Sequence, residues 1–171
     1  MLQVLTSPKL APNSAPRFQQ LQNREDRASG IFGMNASQIV DLKQLQALPT
    51  GSFGRAWADF LDRHQLEPIS TGPRRQQLHD GIHVLTDYGI DAAGEAELQA
   101  FLLGAKLRPL NLLRLLELLQ TPQKDRRNAI TGERLWAAYQ RGRYCLFDPD
   151  DWQPELLWQL PLMQVQALFR V

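Results

Sequence analysis

The sequence predicts an all-α protein built as a single compact multi-helix domain, and three observations lead there. Apolar residues recur at helical spacing in segment after segment, no period-two alternation of useful length occurs, and proline or glycine punctuates the ends of the periodic segments. A chain of 171 residues suits one hydrophobic core, and 43% hydrophobic against 22% charged residues is ordinary for a globular fold.

Taken in order, Pro8, Pro12 and Pro16 lie too close together for a helix to survive between them, since each removes a donor and restricts its predecessor. Residues 1–35 are expected to be an irregular arm and 36–171 the helical domain. From Ala36 to Leu48 the residues Ile39, Val40, Leu42, Leu45 and Leu48 follow helical spacing, and LPTG stops the run. Ser52 suits the N-cap of a second helix whose Phe53, Ala56, Trp57, Phe60 and Leu61 form one buried stripe. A third helix in RRQQLHDGIHVLTDYG places Leu78, Ile82 and Leu85 on one face and ends near Gly89. A fourth follows Gly94, its acidic opening Glu95 and Glu97 suiting a helix N-terminus.

Beyond Pro109, polar residues recur only at every third position, Asn111, Arg114, Glu117 and Gln120, with leucine at nearly every position between. The first reading of so apolar a helix is a central core element; the second is a greasy-ligand surface, with Leu112, Leu113 and Leu116 as the lipid-binding candidates. ERLWAAYQRG then reads as a short helix stopped at Gly142, and Trp152, Trp158 and PLMQVQALFRV close the chain.

The 19 basic and 18 acidic side chains nearly cancel, so no global field recruits nucleic acid. A lone cysteine, Cys145, makes no internal disulfide; the expected setting is intracellular, and any metal site must be built from His, Asp and Glu. No stretch reaches the roughly 18 consecutive apolar residues of a membrane span. The N-terminus lacks the pattern of a secretory signal, and its freedom from acidic residues before Glu25 is shared with transit peptides.

Chemistry concentrates in HDGIHVLTDYGIDAAGE. His79 and His83 stand four apart, so on a helix both imidazoles project from nearly one face and can chelate one ion. Asp80 adjoins the first histidine, either as an edge-on ligand or as an orienter of an imidazole. Glu95 would be about 24 Å from His79 on one unbroken helix, so the chain must turn between them, and Gly89 and Gly94 bracket the place. Two imidazoles with carboxylates suit a divalent metal, zinc first, with iron or manganese as alternatives. The competing account makes His79 and His83 polar residues of the surface, Asp80 an ordinary helix acid and Glu95 a carboxylate at a helix start. H-E-x-x-H, the zinc-protease motif, is absent.

H-D-x-x-H followed by eleven residues and E resembles the signature of the ubiquinone (coenzyme Q) biosynthesis protein four family, matched at His79, Asp80, His83 and Glu95. ALPTGSFGRAWADFLDRHQLEP, GEAELQAFLLGAKLRPL and WAAYQRG with the tail PLMQVQAL extend the resemblance from about Leu45 to the C-terminus. What it implies is an all-helical fold, a divalent metal on those four side chains and peripheral membrane contact, at the mitochondrial inner membrane in a eukaryotic host. It also implies a prenylated lipid intermediate and other quinone biosynthesis proteins as partners, and a homodimer is expected. Members are regarded as scaffolds and as catalysts of oxidative decarboxylation at C1 of a prenylated hydroxybenzoate. No second catalytic group stands out beyond Tyr88, Asp87 or a free ligand carboxylate.

Two rival readings differ in class. An HD-type metal phosphohydrolase also uses an adjacent His-Asp pair, but needs a further histidine, and His64 fits better as a helix-end residue. A non-catalytic lipid-binding scaffold would use the same leucines without chemistry.

Overall fold

The computed structural model describes residues 37–120 and 129–171. Eight α-helices occur among them: α1 (Leu42–Gln46), α2 (Phe53–His64), α3 (Arg74–Gln77), α4 (His79–Thr86), α5 (Ala92–Ala105), α6 (Pro109–Gln120), α7 (Gly132–Tyr144) and α8 (Leu162–Phe169), with one 3-10 turn at Pro154–Leu156. No strand occurs among the described residues; Ser52 and Pro161 form an isolated bridge. The all-α expectation holds. The expected N-terminal arm, with its boundary, lies outside the described residues.

Capping side chains set four of the eight starts. Asp41 accepts from the amides of Lys43 and Gln44, which begins α1 at Leu42 rather than at Ala36. Ile39 and Val40 therefore pack against the core from outside the helix, Val40 fully buried. Ser52 caps α2 by accepting from the Arg55 amide at 3.3 Å, as the sequence predicts. Asp91 caps α5 through the Gly94 amide at 2.8 Å, so α5 opens two residues before Gly94. Thr131 does the same for α7.

The core is aromatic at its centre. Trp57 stacks on Trp152 with ring centroids 6.2 Å apart and planes 5° from parallel, and both rings tilt against Phe53. The Phe53 and Gly54 amides donate to the Leu160 and Trp158 carbonyls, tying the start of α2 to the C-terminal segment. Gly81 lets α4 lie directly on the Trp57 ring, because a Cβ there would overlap it. These contacts hold the histidine-bearing helix against α2.

α5 and α7 form the tightest pair, and Gly142 is what allows it. A Cβ at Gly142 would collide with the Phe101 carbonyl, and one at Gly104 with the Tyr139 carbonyl. Gly142 is thus no helix stop; it sits inside α7 at a backbone crossing, and the helix runs on to Tyr144. Arg134 of α7 grips Glu97 of α5 with two nitrogens, at 2.9 and 2.7 Å. Arg141 of α7 donates to the Thr86 carbonyl at the end of α4.

The expectation that α6 is a central core helix fails. Its inward stripe is Asn111, Arg114, Leu115 and Leu118, of which only Asn111 is fully buried, while Leu112, Leu113 and Leu116 are 46%, 58% and 45% exposed. The helix packs on α5 along one narrow face and leaves more leucine than that face can cover.

Candidate metal centre

The fold brings three of the four sequence-predicted ligands together. His79 opens α4, His83 lies one turn later, and Glu95 sits in the first turn of α5; all three are buried. The reversal that joins them is tight: a Cβ on Gly94 would run into the Gly89 carbonyl, so the loop closes only with glycine there. His79 Nε2 and His83 Nε2 are 3.2 Å apart, and Glu95 Oε2 lies 3.4 Å from the first and 3.2 Å from the second.

That triangle suits a metal ion. A point equidistant from its corners is about 1.9 Å from each, and tetrahedral ligands at roughly 2.0–2.1 Å from zinc stand about 3.3–3.4 Å apart. The donor chemistry, two imidazole nitrogens and one carboxylate oxygen, fits zinc and equally iron or manganese. Among the described residues this is the one cluster of three such groups.

The surroundings aim these atoms. His83 Nδ1 donates to the Tyr88 carbonyl at 3.0 Å, which fixes the tautomer and leaves Nε2 its lone pair. Gln99, wholly buried one turn after Glu95, donates its amide to Glu95 Oε1 at 2.7 Å and so turns Oε2 toward the histidines. Burial by itself would push the His79 pKa down, but the Glu95 charge and hydrogen bond outweigh it and raise it. Burial would push Glu95 up; the opposing charges and hydrogen bonds of the two histidines hold it far below the usual carboxylate range.

Asp80 does not join the triangle. It remains within electrostatic reach of all three groups, its pKa raised chiefly by burial, against the lowering effect of His79 and His83. His64 is the last residue of α2, its ring 4.7 Å from Phe60, and is no member of the cluster. The Tyr88 phenol lies under the Arg141 guanidinium, 5.2 Å from ring centroid to Cζ, and burial raises its pKa, so its contribution to the site is its backbone carbonyl. Asp87 is exposed, at the left-handed end of α4. Gln99 went unread in the sequence, although its spacing of four from Glu95 was the available signal.

The family described as Coenzyme Q (ubiquinone) biosynthesis protein Coq4 matches residues 34–147. The chain belongs to the Coq4 family. The match spans α1 through α7 and the whole metal-ligand block; it begins before Leu45 and stops short of the C-terminal tail. A Sclerotinia sclerotiorum relative named "Ubiquinone biosynthesis protein coq4, mitochondrial" is 28% identical over 116 residues, covering 60% of this chain and 41% of its own length. A Bos taurus relative, "Ubiquinone biosynthesis protein COQ4 homolog, mitochondrial", is 30% identical over 76 residues, covering 36% of this chain and 29% of its own. The chain thus spans about two fifths of the fungal Coq4 relative's length. The crystal structure of a Nostoc punctiforme protein assigned to ubiquinone biosynthesis superposes with a TM-score of 0.60 at 18% identity, covering 91% of this chain and 79% of that one, which shows a shared fold. No helix among the described residues is long and apolar enough to cross a membrane.

Proposed function

We propose that this Coq4-family chain binds one divalent metal ion through His79, His83 and Glu95 and acts in oxidative decarboxylation at C1 of a prenylated hydroxybenzoate on the way to a ubiquinone-type quinone. One observation carries the reading: two imidazole nitrogens and a carboxylate oxygen, all buried, stand 3.2–3.4 Å apart, the spacing of a tetrahedral set with one vertex left over. Structural zinc is usually closed by four protein ligands, whereas three leave a position for substrate or oxidant.

When bound, the ion supplies Lewis acidity to a substrate oxygen or a seat for the oxidant. The chain's own groups position and exclude. His83 is locked in one tautomer by the Tyr88 carbonyl, and Gln99 fixes the carboxylate of Glu95. Burial of all three ligands keeps bulk water from the reacting centre. In the overall conversion the ring–carboxyl bond breaks and CO2 leaves. A hydroxyl whose oxygen comes from water takes its place with release of a proton, and two electrons pass to an external acceptor such as dioxygen.

Glu95→Gln tests this, because it keeps the size and removes the charge. In cells lacking the native protein, a catalytic site predicts a folded variant, depleted of metal, that makes no quinone. Full quinone synthesis by a folded, metal-free variant would end the catalytic reading. Elemental analysis of wild type beside His79→Ala and His83→Ala checks the site independently: about one ion in the first and loss in the others is expected.

The exposed leucines of α6 favour a second reading, a lipid-binding scaffold without chemistry. In it Leu112, Leu113 and Leu116 meet a prenyl chain, a membrane surface or another quinone biosynthesis protein, and the ion only pins α4 to α5. Loss of stability in Glu95→Gln together with loss of function would favour it.

A further inference from the structure

The segment WAAYQRG of α7 supplies no metal ligand, yet it carries Arg141, whose side chain reaches the end of the histidine-bearing helix. The backbone of Arg141 is held where α7 meets α5, because its neighbour Gly142 abuts the Phe101 carbonyl. From that crossing the guanidinium makes two contacts. Arg141 Nη1 donates to the carbonyl of Thr86, the last residue of α4, at 2.6 Å, which satisfies one of the acceptors that a helix end leaves without an intrahelical partner. Its Cζ lies 5.2 Å from the centre of the Tyr88 ring, within the range of a cation–π contact. The Tyr88 ring is in turn backed by Phe101, at 6.2 Å between centroids.

Between the two residues so held stands Asp87, in the left-handed region at φ 62° and ψ 21°. A residue with a Cβ keeps that conformation when its surroundings enforce it. The left-handed turn brings the Tyr88 carbonyl back to accept from His83 Nδ1 at 3.0 Å, the contact that leaves His83 Nε2 free to face the other two ligands. Capping α4 and complementing its dipole require the Thr86 contact alone. The second contact falls on the residue that supplies the acceptor for His83.

We infer that Arg141 is a positioning residue of the metal centre: by clamping Thr86 and Tyr88 it holds the Tyr88 carbonyl on His83 and keeps the Nε2 lone pair aimed at the ion. This role rests on the metal-centre reading given above and extends it to α7, a helix that supplies no ligand. Without the clamp the turn at Asp87 relaxes. His83 is then free to rotate its ring and to carry its proton on either nitrogen, so one of the three ligands is no longer preorganised.

Arg141→Met keeps most of the stem and removes the cation with its donors. Two measurements on the full chain read the consequence. Zinc affinity in a chelator competition is expected to fall about tenfold or more, the effect of losing a group that orients a ligand. In chelated protein at mildly alkaline pH, nitrogen NMR of the imidazoles is expected to find His83 protonated on Nδ1 alone in wild type and on both nitrogens in the variant. A merely structural role, in which Arg141 only caps α4, lowers Tm and leaves both the zinc affinity and the His83 tautomer at their wild-type values. That result overturns the assignment, and zinc binding by wild type then leaves the metal-centre reading standing. Arg141→Lys restores a cation and a donor for the Thr86 carbonyl but not the planar group over Tyr88, so it is expected to fold and to bind zinc with an affinity between the other two. If Arg141→Met does not fold, Arg141→Lys decides alone, and wild-type affinity in it overturns the assignment. A wild-type chain that binds no zinc overturns the metal-centre reading and this role with it.

Discussion

Gly81→Ala tests how the core positions the metal ligands. A Cβ at this position would stand 2.8 Å from Trp57 Cζ2 and closer still to Cζ3 and Cη2, whereas unstrained carbon contacts lie at about 3.5–4.0 Å. Roughly 1 Å of separation has to be found. Trp57 cannot supply it, because the ring is 1% exposed and stacked on Trp152 on one side with Phe53 on another. The helix α4 must move instead, and it carries His79 and His83, which flank Gly81. Overpacking of this kind costs about 1–3 kcal/mol, while replacing glycine within a helix returns up to about 1 kcal/mol. The net loss, about 2 kcal/mol when the upper figure of each is taken, corresponds to a fall in Tm of roughly 4–8 °C. Metal binding is expected to suffer more than stability, since ligand positions tolerate only about 0.2 Å. Calorimetric melting with elemental analysis measures both: a folded protein with Tm reduced by a few degrees and well below one ion per chain is expected. Full metal content at wild-type affinity would show that Trp57 does not set the position of the histidines.

The remaining predictions concern the surroundings of the triad and the surface of α6. In the chelated protein the raised His79 pKa contributes stability that is fully present below the unfolded value of 6.5 and is lost as pH rises through the folded value. The depressed Glu95 pKa contributes stability present above 4.5, so urea midpoints of chelated protein should fall from pH 6 to pH 8 while those of metal-loaded protein rise, because ligands shed protons to bind; parallel slopes would refute the ligand assignment. Gln99→Leu removes the donor to Glu95 Oε1 and is expected to weaken metal binding by about 10–100-fold in a chelator competition, with stability within about 1 kcal/mol because it also removes a buried carbonyl that lacks a partner. Replacing Leu112, Leu113 and Leu116 together by serine should leave Tm within a few degrees and reduce cosedimentation with phospholipid vesicles; equal cosedimentation counts against a lipid-facing α6.

Local signals carried most of the fold. Ser52 announced α2, and its stripe of Phe53, Trp57 and Leu61 is fully buried. The histidine pair and the glycine-bracketed turn were readable because helix periodicity and glycine chemistry are properties of neighbouring residues. Where the reading slipped, a distant partner decided. Ile39 and Val40 looked helical because burial alone puts apolar residues at such spacings, while the Asp41 carboxylate fixes the true start. Gly142 looked like a stop and is a crossing point, a distinction that depends on Phe101, 41 positions earlier in the sequence.

The same limit explains α6 and ties it to the site. Leucine at most positions cannot say which stripe faces inward, because every face is apolar, so the choice falls to the rare polar residue that finds a partner. That residue is Asn111, drawn inward by the guanidinium of Arg75, and its burial turns Leu112, Leu113 and Leu116 outward. The hydrogen bond thereby favours the rotation of the leucine helix that puts Asn111, Arg114, Leu115 and Leu118 inward. It also fastens the start of α6 to the turn of chain that leads into His79, so the contact that turns the leucines outward is made by a cation one helical turn before a metal ligand.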